Sequence, residues 1–204
     1  VKYKYKLNNI KKSKSSLSAP PPYITSSIQQ DASSRYGMSP TVTMSVLQKL
    51  YEKGQITYMR TDSTCISETF IKQIEDYCNI EYPNLFKKRI FKIKNSNAQE
   101  AHECIRPVKL IELGNNFDNN EQKLYKMIFQ RTVASQMTKY EEVNYKYTLM
   151  AIEDNKYTFH FALKKILDLG YKNIYTTDTS DDSILINKLK EGGLYDPLNI
   201  TALE

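Results

Sequence analysis

Residues 1–7, VKYKYKL, set Val1, Tyr3, Tyr5 and Leu7 against Lys2, Lys4 and Lys6. That period of two describes a strand with one buried and one basic face. The run KKSKSSLSAPPP follows, and its lysines, serines and prolines predict a linker that continues neither helix nor strand. From Thr25 the period lengthens: Ile28, Ala32 and Tyr36 recur four apart, and Gly37 supplies a stop. Ser39-Pro40 offers an N-cap followed by proline at the first helical position. Val46, Leu47, Leu50 and Tyr51 then mark one buried face, closed by Gly54. Ser67 can cap a third helix that buries Phe70, Ile71, Ile74, Tyr77 and Cys78. A fourth, roughly Asn120 to Met137, carries Leu124, Tyr125, Ile128 and Val133.

The last third returns to alternation. Val143, Tyr145, Tyr147, Leu149 and Ala151 form one set, Asp154-Asn155 reads as a hairpin turn, and Tyr157, Phe159, Phe161 and Leu163 form the next. A polar loop, TTDTSDDS, precedes an expected short strand around Ile184 to Ile186. No internal repeat is visible. The first strand is thus separated from its sheet by the whole helical run. The expectation is an α+β fold: a discontinuous antiparallel β domain, residues 1–22 and 141–204, with an all-helical domain, residues 23–140, inserted into it.

At 204 residues, 40% hydrophobic and 25% charged, the chain is long enough and apolar enough for a real core. Its net charge of +6 and pI near 9.0 suit an acidic partner such as nucleic acid, but equally suit simple solubility. Residues 1–22 hold six lysines and no acid, which is either a solvated face or a phosphate track. Three cysteines, Cys65, Cys78 and Cys104, lack CxxC spacing, so reduced thiols in an intracellular compartment fit better than disulfides or zinc. No apolar run approaches a membrane span and no signal peptide is visible. The start at Val1 and the abrupt end at Glu204 suggest a piece of a longer protein.

Two stretches could do chemistry. In QITYMRTDST, Gln55–Thr64, Tyr58 is a phenol that needs an activated centre such as a phosphodiester to act as a nucleophile. Arg60, two residues on, could meet the same phosphate if the segment is extended. Thr57, Thr61, Ser63 and Thr64 add neutral donors, and Asp62 could orient Arg60 or a hydroxyl. On spacing alone, the plainer reading of Tyr58 is one of sixteen tyrosines beside an Arg60–Asp62 surface pair. In NAQEAHECIRP, Asn97–Pro107, a helical segment would put His102 and Arg106 on one face, suited to a phosphodiester. A surface histidine in a charged turn is the plainer reading. His160, inside an alternating strand, reads as structural. There is no glycine-rich phosphate loop, and Glu100, His102, Glu103 and Cys104 are too close in sequence to converge readily on a metal.

Four blocks together resemble the type IA DNA topoisomerases, the family that includes bacterial topoisomerase I: PPYITSSIQQDAS, TVTMSVLQKLYEKGQITYMRTDST, AQEAHECIRP and LYKMIFQRTVASQM, in the family's order. The resemblance implies that Tyr58 is the nucleophile giving a 5′-phosphotyrosyl link, that Arg60 contacts the scissile phosphate, and that His102 binds the DNA backbone. It implies supporting DNA contacts for Thr57, Asp62, Ser63, Thr64 and Arg106, and a winged-helix-like core in the insert, with the β domain acting as an arch. Cys65 departs from a position where the family often has a long polar or basic side chain, and Cys104 from a small residue. The family's Toprim domain, with its acidic Mg²⁺ cluster, has no counterpart here, so Mg²⁺ is expected in the full-length enzyme and no cofactor in this chain. The implied partners are single-stranded or negatively supercoiled DNA and the rest of the topoisomerase chain, inside the cell, at DNA, with no membrane. ATP-independent relaxation of negative supercoils is the implied activity, and the chain alone is expected to be inactive. The rival is a non-catalytic single-stranded DNA-binding module of the same fold.

Overall fold

A computed structural model of the chain describes residues 4–91, 103–114, 116–175 and 181–195. In chain order the elements are β1 (Tyr5–Leu17), α1 (Thr25–Tyr36), α2 (Pro40–Glu52), α3 (Glu68–Glu81), α4 (Asn119–Ala134), β2 (Tyr140–Ala151) and β3 (Thr158–Asp168). A 3-10 turn (Gly170–Ile174), α5 (Ser183–Lys188) and β4 (Leu194–Tyr195) complete them. Two compact units result: Val1–Leu17, Tyr140–Leu169 and Thr177–Glu204 form one, and Ser18–Lys139 with Gly170–Thr176 form the other.

The first unit is built on a four-stranded antiparallel sheet of order β3-β2-β1-β4. β1 pairs with β2 from Tyr5↔Ala151 to Leu17↔Tyr140, with a register shift between Leu7 and Asn9. The expected linker at Lys11–Leu17 is therefore strand. β2 supplies a complete ladder for its backbone, and the side chains of residues 11–17 are all exposed, so lysine and serine meet no desolvation cost there. Tyr5 and Leu7 are buried, as their alternation predicted. Phe159 and Phe161 are 39% and 36% exposed. The strand expected at Ile184–Ile186 is α5 instead, since a short apolar run has no decisive period. The fourth strand is the short β4, paired with Tyr5 and Lys6.

The second unit has a core of Ile28, Leu47, Leu50, Leu124 and Ile128, all fully buried, from α1, α2 and α4. Gly37 closes α1 at φ 65°, in the left-handed region, where its N–H reaches Ser33 O at 2.9 Å. The Ser39 hydroxyl accepts from Val42 N at 3.3 Å with Pro40 at the first helical position of α2. α4 opens with a capping box: Asp118 accepts from Asn120 and Glu121 N–H, and the Glu121 carboxylate accepts from Asp118 N–H at 2.8 Å. Glu121 is itself buried and pairs with Lys53 at 2.6 Å, tying the end of α2 to the start of α4. Residues Gly170–Thr176, counted with the sheet in the sequence reading, join the helices: Gln130 Nε2 donates to Ile174 O at 2.8 Å, and Tyr171 N–H to Thr138 O at 2.9 Å.

Candidate active site

The segment after α2 alternates in burial. Met59, Thr61 and Ser63 turn inward, at 1%, 9% and 5% exposure, while Tyr58, Arg60 and Asp62 are exposed. This is the period of two that puts Tyr58 and Arg60 on one side of the segment. A hydroxyl from elsewhere in the helical unit holds it there. Thr25, at the start of α1, donates its hydroxyl to Met59 O at 2.8 Å and accepts from Thr61 N–H at 3.0 Å. Its own N–H donates to Thr61 O at 3.0 Å. The inward hydroxyls serve the loop itself: Thr61 Oγ1 accepts from Ser63 N–H and Ser63 Oγ from Cys65 N–H. Ser63 thus supports the backbone of the loop, while Thr64 is half-buried.

Residues 104–108 run alongside this segment. Thr57 is the hinge point: its N–H donates to Arg106 O at 2.9 Å, its hydroxyl donates to Cys104 O at 2.6 Å, and the hydroxyl accepts from Arg106 N–H at 3.0 Å. Ile56 bridges to Pro107, Tyr23 bridges to Ile105, and Cys104 N–H donates to Cys65 O. Residues 103–107 are therefore extended, not helical, because their backbone groups are taken by neighbours on both sides. The expected His102–Arg106 helix face does not form from 103 onward, and His102 itself lies outside the described residues. The structure brings residues 104–107 alongside Ile56 and Thr57, next to Tyr58 in the chain, all the same.

Arg106 is committed internally. Its guanidinium lies 3.9 Å from the Phe70 ring centroid, meets Glu103 Oε2 at 2.5 Å and donates to Pro107 O at 2.9 Å. Its Nε is buried without a partner among the described residues. Glu103 Oε1 accepts from Ser67 N–H at 2.9 Å, at the N-cap of α3, where the Ser67 side chain makes no cap bond of its own. Burial would push the Glu103 carboxyl up, but the Arg106 hydrogen bond and those from Ser67 outweigh it and hold it below the usual carboxylate range. Arg60 and Asp62 form no ion pair with each other or with any other described residue, which removes the plain surface-pair reading. A cleft of about 470 Å³ opens between Arg60 and the first turn of α1, lined by Ile24, Thr25, Ser26, Gln29, Arg60 and Asp62.

The tyrosines divide sharply by environment. Tyr58 is 43% exposed, with the Tyr51 ring edge-on at a centroid distance of 5.3 Å. Tyr51, expected in the core face of α2, is 40% exposed and flanks Tyr58 instead. Tyr23 is buried, donates to Asp31 at 2.6 Å beneath Arg131, and burial followed by that bond pushes its phenol well above the ordinary range. Sequence reasoning did not single out Thr25 or Tyr51. A threonine at a helix start and an aromatic on an apolar stripe both have ordinary explanations, so neither carries a signal. The described residues contain no group of three or more His, Cys, Asp or Glu able to hold a metal ion. No described helix is long and apolar enough to cross a membrane.

A family model described as DNA topoisomerase matches residues 1–204. DNA topoisomerase 1 of Helicobacter pylori strain 26695 is 36% identical over 100% of the chain and 28% of its own length. A protein of Acanthamoeba polyphaga mimivirus named DNA topoisomerase 1 type prokaryotic is 35% identical, over 89% of the chain and 22% of its length. Full-length topoisomerase I from Thermotoga maritima superposes with a TM-score of 0.79 at 28% identity, over 96% of this chain and 33% of that one. The chain thus spans between a fifth and a third of these relatives' lengths.

Proposed function

Since the chain belongs to the DNA topoisomerase family, we propose that it supplies the nucleophile-bearing part of a type IA enzyme that opens one DNA strand. The observation that carries this reading is the exposed Tyr58–Arg60 pair, held on one side of a segment that Thr25 and Thr57 anchor from two directions. In the proposed step the Tyr58 oxygen attacks a backbone phosphorus and gives up its phenolic proton, the P–O3′ bond breaks, and the departing 3′ oxygen takes up one proton. The products are a 5′-phosphotyrosyl ester and a free 3′-hydroxyl. The 3′-hydroxyl can later attack the same phosphorus and restore the strand, so the ester conserves the bond energy and resealing needs no ATP.

Arg60 is the cation beside the nucleophile, and its guanidinium suits the charge that develops on the phosphoryl oxygens. The adjoining cleft, which adds the first-turn backbone of α1, suits a neighbouring phosphate. Thr57 and Glu103–Arg106 act by position: they lock the 103–107 strand, which leads directly back to His102, against the tyrosine segment. In this proposal Mg²⁺ belongs to another part of the longer enzyme, and no step here runs through it. The winged-helix-like character of the insert, the arch role of the sheet, the intracellular location and the relaxation of negative supercoils are parts of the same reading.

The test is Tyr58→Phe in the full-length protein. Loss of the covalent DNA adduct with oligonucleotide binding retained supports the nucleophile assignment. An adduct of undiminished yield in the variant refutes it and favours the binding-module reading.

A further inference from the structure

We propose that one face of the sheet is a docking strip for the phosphate backbone of single-stranded DNA, distinct from the Tyr58 site. Strand register carries the inference. Across β1 and β2, Lys11 pairs with Lys146, and Asn9 with Thr148. Across β2 and β3, Thr148 pairs with His160, Lys146 with Ala162, and Asn144 with Lys164. Directly paired residues share a face and successive residues alternate, so Lys11, Lys146, Lys164 and His160 lie on one face spanning three strands. Neighbouring strands are about 4.8 Å apart. Two ammonium groups directly opposite each other destabilise a sheet unless an anion neutralises them.

That anion is missing from the described residues. No described carboxylate lies within 4.0 Å of the Nζ of Lys11, Lys146 or Lys164. On the opposite face the ladder does neutralise a lysine: Lys14 meets Glu141 at 2.8 Å. The strip's own acid, Glu142, is held by the Tyr140 hydroxyl at 2.6 Å and the Asn144 amide at 3.0 Å. Lys11, Lys146 and His160 are exposed, and with Asn9 and Thr148 they line a depression of about 510 Å³. Thr148 Oγ1 lies 3.1 Å from His160 Nδ1, which leaves Nε2 for a ligand. Paired lysines bordered by neutral donors suit a regular row of phosphates, which DNA supplies at fixed spacing. The choice of DNA as occupant rests on the topoisomerase reading above.

The experiment measures binding of this chain to an oligothymidylate across a salt series. Each phosphate contact on single-stranded DNA contributes about 0.7 to the slope of log K against log salt. Lys11→Ala/Lys146→Ala should lower the magnitude of that slope by about 1.4, with an unchanged or raised Tm showing that the sheet is intact. Three results would overturn the strip: the double variant keeps the original slope, Lys123→Ala/Lys126→Ala on α4 lowers it equally, or polyglutamate binds with the same dependence on Lys11 and Lys146. In each case the nucleophile assignment stands or falls separately, on the Tyr58 adduct in the full-length protein.

Discussion

Thr57→Val is the substitution that probes how the site is assembled. Valine keeps the side-chain volume and the β-branch, so it leaves no cavity, and it removes only the hydroxyl. Three hydrogen bonds go with it: the one to the fully buried Cys104's carbonyl at 2.6 Å, the one from Arg106 N–H at 3.0 Å, and a longer one to Arg106 O at 3.4 Å, a carbonyl that keeps the Thr57 N–H. A buried polar group left without a partner costs roughly 1–3 kcal/mol. The Cys104 carbonyl should bear most of that and the half-buried Arg106 N–H less, for a total of about 2–4 kcal/mol. Urea denaturation followed by helical ellipticity is the assay, because α1–α4 all belong to the unit that contains Thr57. The expected result is a lower midpoint at unchanged m. Thr57→Ser, which restores the hydroxyl and loses one methyl, should fall within about 1 kcal/mol of the unsubstituted chain. A Thr57→Val midpoint equivalent to less than about 0.5 kcal/mol of loss would refute the claim that this hydroxyl clamps the two segments.

Other consequences follow from single groups. Glu103 has its folded carboxyl held low, so its contribution is fully present above the unfolded value of about 4.3 and is lost as pH falls through the folded one. Glu103→Gln should therefore lower stability at pH 7 and flatten the acid loss below about pH 4, as read from urea midpoints; an unchanged acid limb would contradict it. Gly170 has φ 47° and a built Cβ would sit 2.0 Å from Lys139 O, so Gly170→Ala should cost at least about 2 kcal/mol, and a neutral melting result would contradict that. Burial pushes the Cys78 thiol up to about 11 and the Cys104 thiol up to about 12, whereas Cys65 is half-buried. A native-state thiol titration should label Cys65 first, with the other two reacting only on unfolding; equal rates for all three would oppose this burial pattern.

Much of the helical unit was legible because local chemistry and burial agree. Gly37, Ser39-Pro40 and the spacings of Leu47, Leu50, Ile74 and Ile128 each encode one local event, and the structure places those events where they are written. Lys11–Leu17 was not legible as strand, because what makes it one is the β2 ladder rather than its own side chains. Ile184–Ile186 was ambiguous because three apolar residues fit either period. At the site, the Tyr58/Arg60 side of the segment could be read from their spacing of two. The extended path of 103–107 could not, since Thr57, Tyr23 and Cys65 impose it from distant parts of the chain. The surroundings of Arg106 were hidden for the same reason: neither Phe70 beneath it nor the geometry of its pairing with Glu103 is visible in sequence.

If Tyr58 is the nucleophile, the covalent bond to DNA can be located on it. A full-length protein carrying this chain would be incubated with single-stranded DNA, denatured to trap the ester, and digested for peptide mapping. The expected product is a phosphotyrosyl nucleotide on Tyr58, joined through the 5′ side of the break, and none in the Tyr58→Phe protein. An adduct on another residue, or one joined through the 3′ side, would contradict it.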